Sequence, residues 1–544
     1  MDIEKIFKEW LTFAKDPEVS SELQALKNDP EKLSDAFFTQ LLFGTGGIRG
    51  KLGAGTNRMN IYTVGRATFG LADYVLDSGK EKSVAIAYDS RNMSKEFALL
   101  SAEIMSSKGI KAYLFDRLMP TPVLSYAVRK LKTGAGIVVT ASHNPKEYNG
   151  YKVYNEKGCQ ITSEAADAIT ASIEKYGYFN DFTPDNSLIE YVGEELLDEF
   201  INDVMKNRLP VDKKYIPKIV YTPLNGTGRL PVKKLFAKMG IEDYVIVPEQ
   251  EYPDGNFTTC PFPNPEEKAA LSLAVDLAKK VGAKLVIATD PDADRMGIAV
   301  VREDGSVRLF NGNETGALME NFILSYKAAE NSLPNNPYIV KTIVTSPLAE
   351  DIAASFGVGV KNVLTGFKYI GEAIDTYKNE NYVFGMEESY GYLVGTHARD
   401  KDAVSAVMTL AETVCYYAAQ GLSLEDALES FYEKYGYYKS GLYSKYFEGK
   451  SGMEYMENYM DGLRDAPPEE IGGYAVKNFV DYGKGVDNLP KSNVIKMEGE
   501  NFSVIVRPSG TEPKIKFYIC VKDENARRAE ELCKVFEDAV KASV

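Results

Sequence analysis

Histidine is nearly missing from this chain: His143 and His397 are the only two, which excludes a histidine-rich zinc centre. Cysteine is sparse and scattered, at positions 159, 260, 415, 520 and 533, odd in number and with no Cys-x-x-Cys pair. That usage favours reduced thiols in a cytoplasmic protein over a disulfide framework. No apolar run approaches the ~20 residues needed to cross a bilayer. The start, Met1-Asp-Ile-Glu-Lys5, is charged and amphipathic rather than signal-like. Basic runs are lacking too, and the net charge is −15, which argues against nucleic acid and anionic membranes as partners. An anionic small molecule would have to be met by a local positive pocket, since the overall field opposes it.

What is present is the composition of an ordinary globular protein, 44% hydrophobic and 26% charged, in a chain of 544 residues. That length exceeds one core and predicts roughly three or four domains. The pattern predicts the strands Val84–Tyr88, Ala112–Phe115 and Ile137–Thr140, with helices near 95–108 and 163–176, a βαβ arrangement around a mixed or parallel sheet. A second unit follows from Lys218–Tyr221, with a helix near 266–281 and the strand Lys284–Ala288. A third holds a helix from Gly312 to about 329, the strands Tyr338–Lys341 and Tyr382–Phe384, and an amphipathic helix over 404–414. Residues 445–470, rich in Gly, Tyr, Met and charge and ending in Ala466-Pro-Pro468, read as a linker. The last stretch is α+β, with the strands Phe502–Val506 and Lys516–Ile519 and a closing helix over 529–540. The units are placed at 1–208, 209–312, 313–445 and 446–544.

Four polar loops carry the chemistry. Ser142 lies in Thr140-Ala-Ser-His-Asn-Pro145, directly after an apolar strand, so a hydroxyl is delivered to a strand end. Thr289-Asp-Pro-Asp-Ala-Asp-Arg295 also follows a strand, and its carboxylates at 290, 292 and 294 alternate. In an extended turn such oxygens converge and suit a hard cation such as Mg²⁺. A calcium EF-hand loop is rejected, because Arg295 and Val301 stand where that loop needs Gly and Glu. Arg507-Pro-Ser-Gly-Thr-Glu-Pro513 joins two predicted strands and offers a guanidinium fork, two hydroxyls and Gly510 for close backbone approach to a phosphate. Gly385-Met-Glu-Glu-Ser-Tyr-Gly391 puts Glu387 and Ser389 two apart, an acceptor and a hydroxyl for sugar hydroxyls. Gly44-Thr-Gly-Gly-Ile-Arg-Gly50 adds flexible backbone and Arg49, without the Gly-Lys-Ser/Thr ending of a P-loop.

Taken together, Thr140–Lys152, Thr289–Arg295, Gly385–Gly391 and Arg507–Pro513 resemble the α-D-phosphohexomutase superfamily, in its order and over nearly the whole chain. Gly44–Arg49 and Gly385–Gly391 are most similar to its phosphoglucomutase branch, including the glucose/pentose subgroup. The resemblance implies four domains around a central cleft, three similar α/β domains and a smaller α+β one. It implies that Ser142 is carried as phosphoserine, with Mg²⁺ held by Asp290, Asp292, Asp294 and Ser142 itself. Arg49 and Arg295 would hold the transferring group. Arg507, Ser509, Gly510 and Thr511 would anchor the other phosphate, while Glu387 and Ser389 read hydroxyls, helped by Thr365-Gly366-Phe-Lys368.

The implied reaction interconverts glucose 1-phosphate and glucose 6-phosphate through glucose 1,6-bisphosphate, intermediate and activator alike. For the proton, Lys152 matches the acid/base of one branch and is preferred; Lys401 matches a lysine of another, and His143 adjoins the serine. Tyr390-Gly391 follow Ser389 without the histidine of broad-range mutases, which argues against mannose phosphate. Phosphopentomutase and glucose 1,6-bisphosphate synthase stay open as alternatives on the same residues. An inactive phosphosugar-binding protein is the alternative of a different class.

Overall fold

In the computed structural model, which describes residues 2–44, 46–447, 449–508 and 514–544, the elements form four sheets of four to six strands and one small hairpin. The first sheet runs Gly47–Lys51, Tyr148–Asn155, Ala135–Val139, Ser83–Tyr88, Lys111–Phe115, Ile189–Val192. Its last four strands are parallel, while Tyr148–Asn155 returns antiparallel and carries Gly47–Lys51 on its far edge. Ser83–Tyr88 and Ala135–Val139 are buried at every residue, as near-continuous apolar runs require when helices cover both faces.

The second and third sheets repeat the device. Leu285–Thr289 is parallel to Ile219–Thr222 and returns through antiparallel Met296–Val301. Asn381–Glu387 is parallel to Pro337–Thr342 and returns through antiparallel Gly391–Val394. In each sheet the polar loop is therefore the connection of one hairpin appended to parallel strands. The fourth sheet is antiparallel throughout, in the order Tyr437–Tyr446, Lys514–Asp523, Phe502–Pro508, Ile495–Glu498, Asn478–Asp481, and the helix Ala526–Ser543 covers one face.

One apolar core runs through the first three units without a break, joining Ala85, Phe115, Tyr221, Ile287, Phe322 and Phe384. A smaller cluster, including Leu364, Ile505 and Tyr518, joins the third sheet's side to the fourth. Three N-terminal helices, Ile3–Phe13, Pro17–Leu26 and Pro30–Phe37, start on the capping carboxylates of Asp2, Asp16 and Asp29. They gather Trp10 among Phe37, Tyr62, Tyr178 and Phe179. Among the described residues no helix is long and apolar enough to cross a membrane.

Three local expectations change. Residues 445–470 are not a linker: Gly449–Asp465 is a helix, because Met456, Met460 and Leu463 recur at helical spacing and pack into the fourth unit's core. The helix expected near 266–281 begins only at Ser272, after turns that leave Glu266 free to meet Arg295. Tyr437–Tyr446 belongs to the fourth sheet along its whole length, so a boundary at 446 would cut that strand from its partners.

Candidate active site

Ser142 sits just past the end of Ala135–Val139 with φ of 53°, a left-handed backbone uncommon for a residue with a Cβ. Its N–H donates to Thr140 Oγ1 at 2.8 Å, and Thr140 Oγ1 donates to Asp89 Oδ2 at 2.6 Å. The buried Arg91 guanidinium then collects carbonyls around the loop: Ser142, Asn144, Pro145 at 2.9 Å and Tyr148 at 3.1 Å. Its Nε lies 3.3 Å from Asp89 Oδ2, and Phe257 covers its face at 4.8 Å. Four carbonyls bound to one rigid fork fix the backbone that presents the serine hydroxyl.

That hydroxyl donates to Asp290 Oδ2 at 2.6 Å and lies 3.1 Å from His143 Nδ1. Asp290 Oδ1 accepts the N–H groups of Asp294 and Arg295, at 3.1 and 3.0 Å, in a turn that puts Ala293 at φ 50°. Asp292 Oδ2 accepts from Thr121 Oγ1 and from Lys152 Nζ, both at 2.8 Å. Asp294 Oδ2 lies 3.0 Å from Lys401 Nζ and 3.6 Å from Lys152 Nζ. One carboxylate oxygen from each aspartate falls within 4.8 Å of the others. Among the described residues Asp292 Oδ1 and Asp294 Oδ1 are buried with no hydrogen-bond partner, Asp294 Oδ1 lying 4.0 Å from Arg295 Nε. Orphaned anionic oxygens cost stability unless a cation takes them. Three hard oxygen donors from one turn, two of them unsatisfied, fit a Mg²⁺ ion.

The charges bear on one another. Burial and the neighbouring Asp292 and Asp294 push the Asp290 carboxyl well up. Burial acts the same way on Asp292, but the Lys152 ammonium overcomes it and holds that carboxyl far below its usual range. Burial, with the Arg295 and Arg49 charges, keeps His143 well below its ordinary value, so its imidazole is neutral at pH 7. Burial works against the Lys401 ammonium, yet Asp294, Asp400 and Glu387 hold it above the usual lysine range.

The loop is stitched to the other units by backbone as well as side chains. Thr121 N–H donates to the Asp292 carbonyl at 2.9 Å, Met296 N–H to Tyr390 at 3.1 Å and Ala403 N–H to Ala293 at 3.2 Å. Arg295 also bridges to Gly391. Glu387, buried at the end of its strand, accepts the Gly366 N–H at 2.9 Å, and burial with nearby Glu388 raises its carboxyl to about 7. Ser389 follows it, half-buried, and Thr365 Oγ1 is buried with no hydrogen-bond partner among the described residues.

Arg49, opposite Gly150 in the sheet, donates to Asn144 Oδ1 at 3.0 Å. Arg295 pairs with Glu266. Arg507, next to last in its strand, stands opposite Lys516 and bonds Tyr518. Burial and the Arg507 charge lower Lys368 to about 8. Ser509, Gly510 and Thr511 lie outside the described residues.

Sequence reasoning missed Asp89, Arg91, Thr121 and Lys516. Asp89-Ser-Arg91 follows Ser83–Tyr88 as Ser142 follows its neighbour Ala135–Val139, so two adjacent parallel strands end in polar residues at one sheet edge. That coincidence was the available signal. Nothing in sequence marks Thr121, which opens a helix.

Residues 40–179, 198–304 and 311–435 match, in this order, the models of α/β/α domains I, II and III described as phosphoglucomutase/phosphomannomutase. A phosphoglucomutase of Staphylococcus saprophyticus is 38% identical over 530 residues, covering 93% of this chain and 94% of that one. Another, of Staphylococcus aureus, is 38% identical over 512 residues, covering 90% and 91%. Among solved structures, a phosphoglucomutase/phosphomannomutase family protein from Burkholderia thailandensis superposes with a TM-score of 0.71 at 18% identity, over 93% of this chain and 98% of that one. The open form of parafusin, a phosphoglucomutase from Paramecium, gives 0.69 at 18%, over 93% and 95%. At such identities the structural likeness speaks to the fold.

Proposed function

The chain belongs to the phosphoglucomutase/phosphomannomutase family, and on that premise we propose that it interconverts glucose 1-phosphate and glucose 6-phosphate through phosphorylated Ser142. The observation that carries the mechanism is the 2.6 Å contact of Ser142 Oγ with Asp290, beside two buried carboxylate oxygens that lack a hydrogen-bond partner among the described residues. A phosphoryl group on Oγ brings ~1.5 to 2 negative charges to this spot. Its oxygens and the three carboxylates would together hold Mg²⁺, which supplies charge neutralisation during phosphoryl transfer.

Phospho-Ser142 gives its phosphoryl group to the free hydroxyl of the sugar phosphate. The Oγ–P bond breaks, an O–P bond to the sugar forms, and the hydroxyl proton is passed on to the departing Oγ. The glucose 1,6-bisphosphate so formed turns end for end and returns its other phosphoryl group to Ser142. The same compound, taken from solution, charges an unphosphorylated enzyme.

Lys152 relays the proton: its ammonium, lying between Asp292 and Asp294 at the serine, donates to the departing Oγ, and the amine so left takes the proton of the sugar hydroxyl. Lys401, held as an ammonium by Asp294 and Asp400, supplies positive charge at the transferring group. Neutral His143 orients the serine hydroxyl through its 3.1 Å contact. Arg49 faces the incoming phosphoryl oxygens, and Arg295 braces the aspartate turn through Glu266. Arg507, Ser509, Gly510 and Thr511 anchor the phosphate that is not reacting, with Lys368 adding charge. Glu387, Ser389, Thr365 and Gly366 read hydroxyls common to both sugar orientations. A cycle of this kind needs one anchor for two poses, since the same serine must face C1 oxygen and C6 oxygen in turn.

Intact mass and a coupled assay test the proposal together. The protein should show a subpopulation heavier by one phosphate that is lost in Ser142→Ala along with turnover. Activity surviving in Ser142→Ala would overturn the mechanism. A marked preference for ribose 1-phosphate or mannose 1-phosphate over glucose 1-phosphate would overturn the substrate.

A further inference from the structure

Lys341, next to last in the strand Pro337–Thr342, is buried, an unusual place for an ammonium. Its Nζ donates to the Thr345 carbonyl at 3.0 Å and pairs with Glu350 Oε1 at 2.9 Å. Behind it the helix Gly312–Ala329 buries Glu320, both of whose carboxyl oxygens lack a hydrogen-bond partner among the described residues. Glu320 and Glu350 both act electrostatically with this ammonium. A lysine serving only to fill space would be exchanged for an apolar side chain at no loss. This one instead closes a turn.

The turn it closes runs Thr342–Thr345, where Thr345 N–H donates to the Thr342 carbonyl at 3.1 Å. The two threonine hydroxyls lie 2.9 Å apart, and each reaches the same oxygen, Glu388 Oε2, at 3.3 and 3.2 Å. Two hydroxyl protons serve three short oxygen–oxygen contacts, and giving both to the carboxylate is the strongest arrangement when Glu388 is ionised. Glu388 stands between Glu387 and Ser389. Its side chain thus sets the pose of the turn proposed to read sugar hydroxyls. A displacement on the order of 1 Å in such a turn is enough to cost binding of an oriented substrate.

We infer that Lys341 is a positioning residue for sugar recognition, acting through Thr345 and Glu388 on Glu387 and Ser389. It belongs to neither the serine loop nor the aspartate turn. The inference rests on the proposed mutase reading and adds a residue remote from the serine and the aspartates.

The test is steady-state kinetics of Lys341→Met, Thr345→Val and Glu388→Gln, singly and as the pairs with Glu388→Gln, alongside the wild type. Lys341→Met keeps the length of the side chain. Thr345→Val keeps its shape, deletes only the hydroxyl, and guards against a misfolded lysine variant. The expected result for each single variant is a rise of about 10-fold in KM for glucose 1-phosphate, with kcat and phosphoserine occupancy within about 3-fold of wild type. In the Glu388→Gln background, Lys341→Met and Thr345→Val should add little further, because the same link is already cut. A merely structural lysine would lower thermal stability and active fraction while leaving KM unchanged. KM unchanged in Thr345→Val, or effects that simply multiply with Glu388→Gln, overturns the inference. A wild type without mutase turnover overturns the underlying reading instead.

Discussion

Replacing Arg91 by lysine keeps the charge beside Asp89 and removes the fork. Arginine reaches four carbonyls of the serine loop from two nitrogens, whereas an ammonium has three protons on one atom and cannot span them. At least two of the four bonds should go, and charge-assisted bonds contribute about 1.5–3 kcal/mol each before relaxation. Burial pushes the Asp89 carboxyl up against the pull of Arg91, and the lysine ammonium keeps a counter-charge beside it. That limits the penalty, and a stability loss of about 3 kcal/mol is expected from urea unfolding.

The larger effect should be on turnover. Ser142 holds a left-handed backbone, which carries an intrinsic cost of roughly 1–2 kcal/mol and tends to relax once its carbonyl is released. Displacing Oγ by on the order of 1 Å from Asp290 should lower kcat about 100-fold. KM for glucose 1-phosphate should change little, because Arg91 is buried under the serine loop and is no part of the turn proposed to read sugar hydroxyls. Unfolding and initial-rate assays on one preparation separate the two effects. Lost stability with wild-type kcat would falsify this reasoning: Thr140 and the turn alone would then hold the serine.

Mg²⁺ at about 100 times its dissociation constant should raise the unfolding free energy by about 2.7 kcal/mol, read from urea curves with and without the ion. Asp292→Asn should abolish most of that gain, and an undiminished gain would place the ion elsewhere. Glu412, buried against Arg208 at 3.0 Å and the Leu209 N–H at 3.0 Å, is raised by burial to about 7 from 4.5. The folded state then holds a proton that the unfolded state has released, so this residue's contribution is full below about 4.5 and is lost as pH rises to 7. Glu412→Gln should flatten the stability profile in that window by up to about 1.4 kcal/mol per pH unit, and an unchanged slope would refute the assignment. Lys368, lowered to about 8, should lose charge above that pH. KM for the phosphosugar should therefore rise between pH 7 and 9 and stay flat in Lys368→Arg, and parallel profiles would exclude Lys368 from phosphate binding.

Much of the site was legible because its chemistry is local in sequence. Asp290, Asp292 and Asp294 share one turn, and Ser142 announces itself by the strand before it. Where they would meet was not legible from either segment, since Oγ and Oδ2 approach across 148 positions of chain. Arg91 stayed hidden for a different reason: its role consists of carbonyl contacts, and carbonyls leave no trace in side-chain identity. Lys341 was equally silent, being one lysine near the end of an apolar strand. The helix Gly449–Asp465 was misread because glycine, tyrosine and charge outweighed the spacing of Met456 and Met460. Parallel strands were easy by contrast, for burial on both faces writes them as apolar runs such as Val84–Tyr88.

The backbone bonds around Asp292, Ala293 and Met296 have a consequence for assembly. Thr121 comes from the first unit, Tyr390 and Ala403 from the third, and the aspartates from the second. No one of these units, folded by itself, contains the neighbours that hold the turn in place. The turn thus behaves as a logical AND, true only when three separately built pieces have docked. A truncated or stalled chain would lack part of the shared core and the turn's neighbours, and would be chemically silent. During synthesis, phosphoryl chemistry is withheld until the architecture around it is whole.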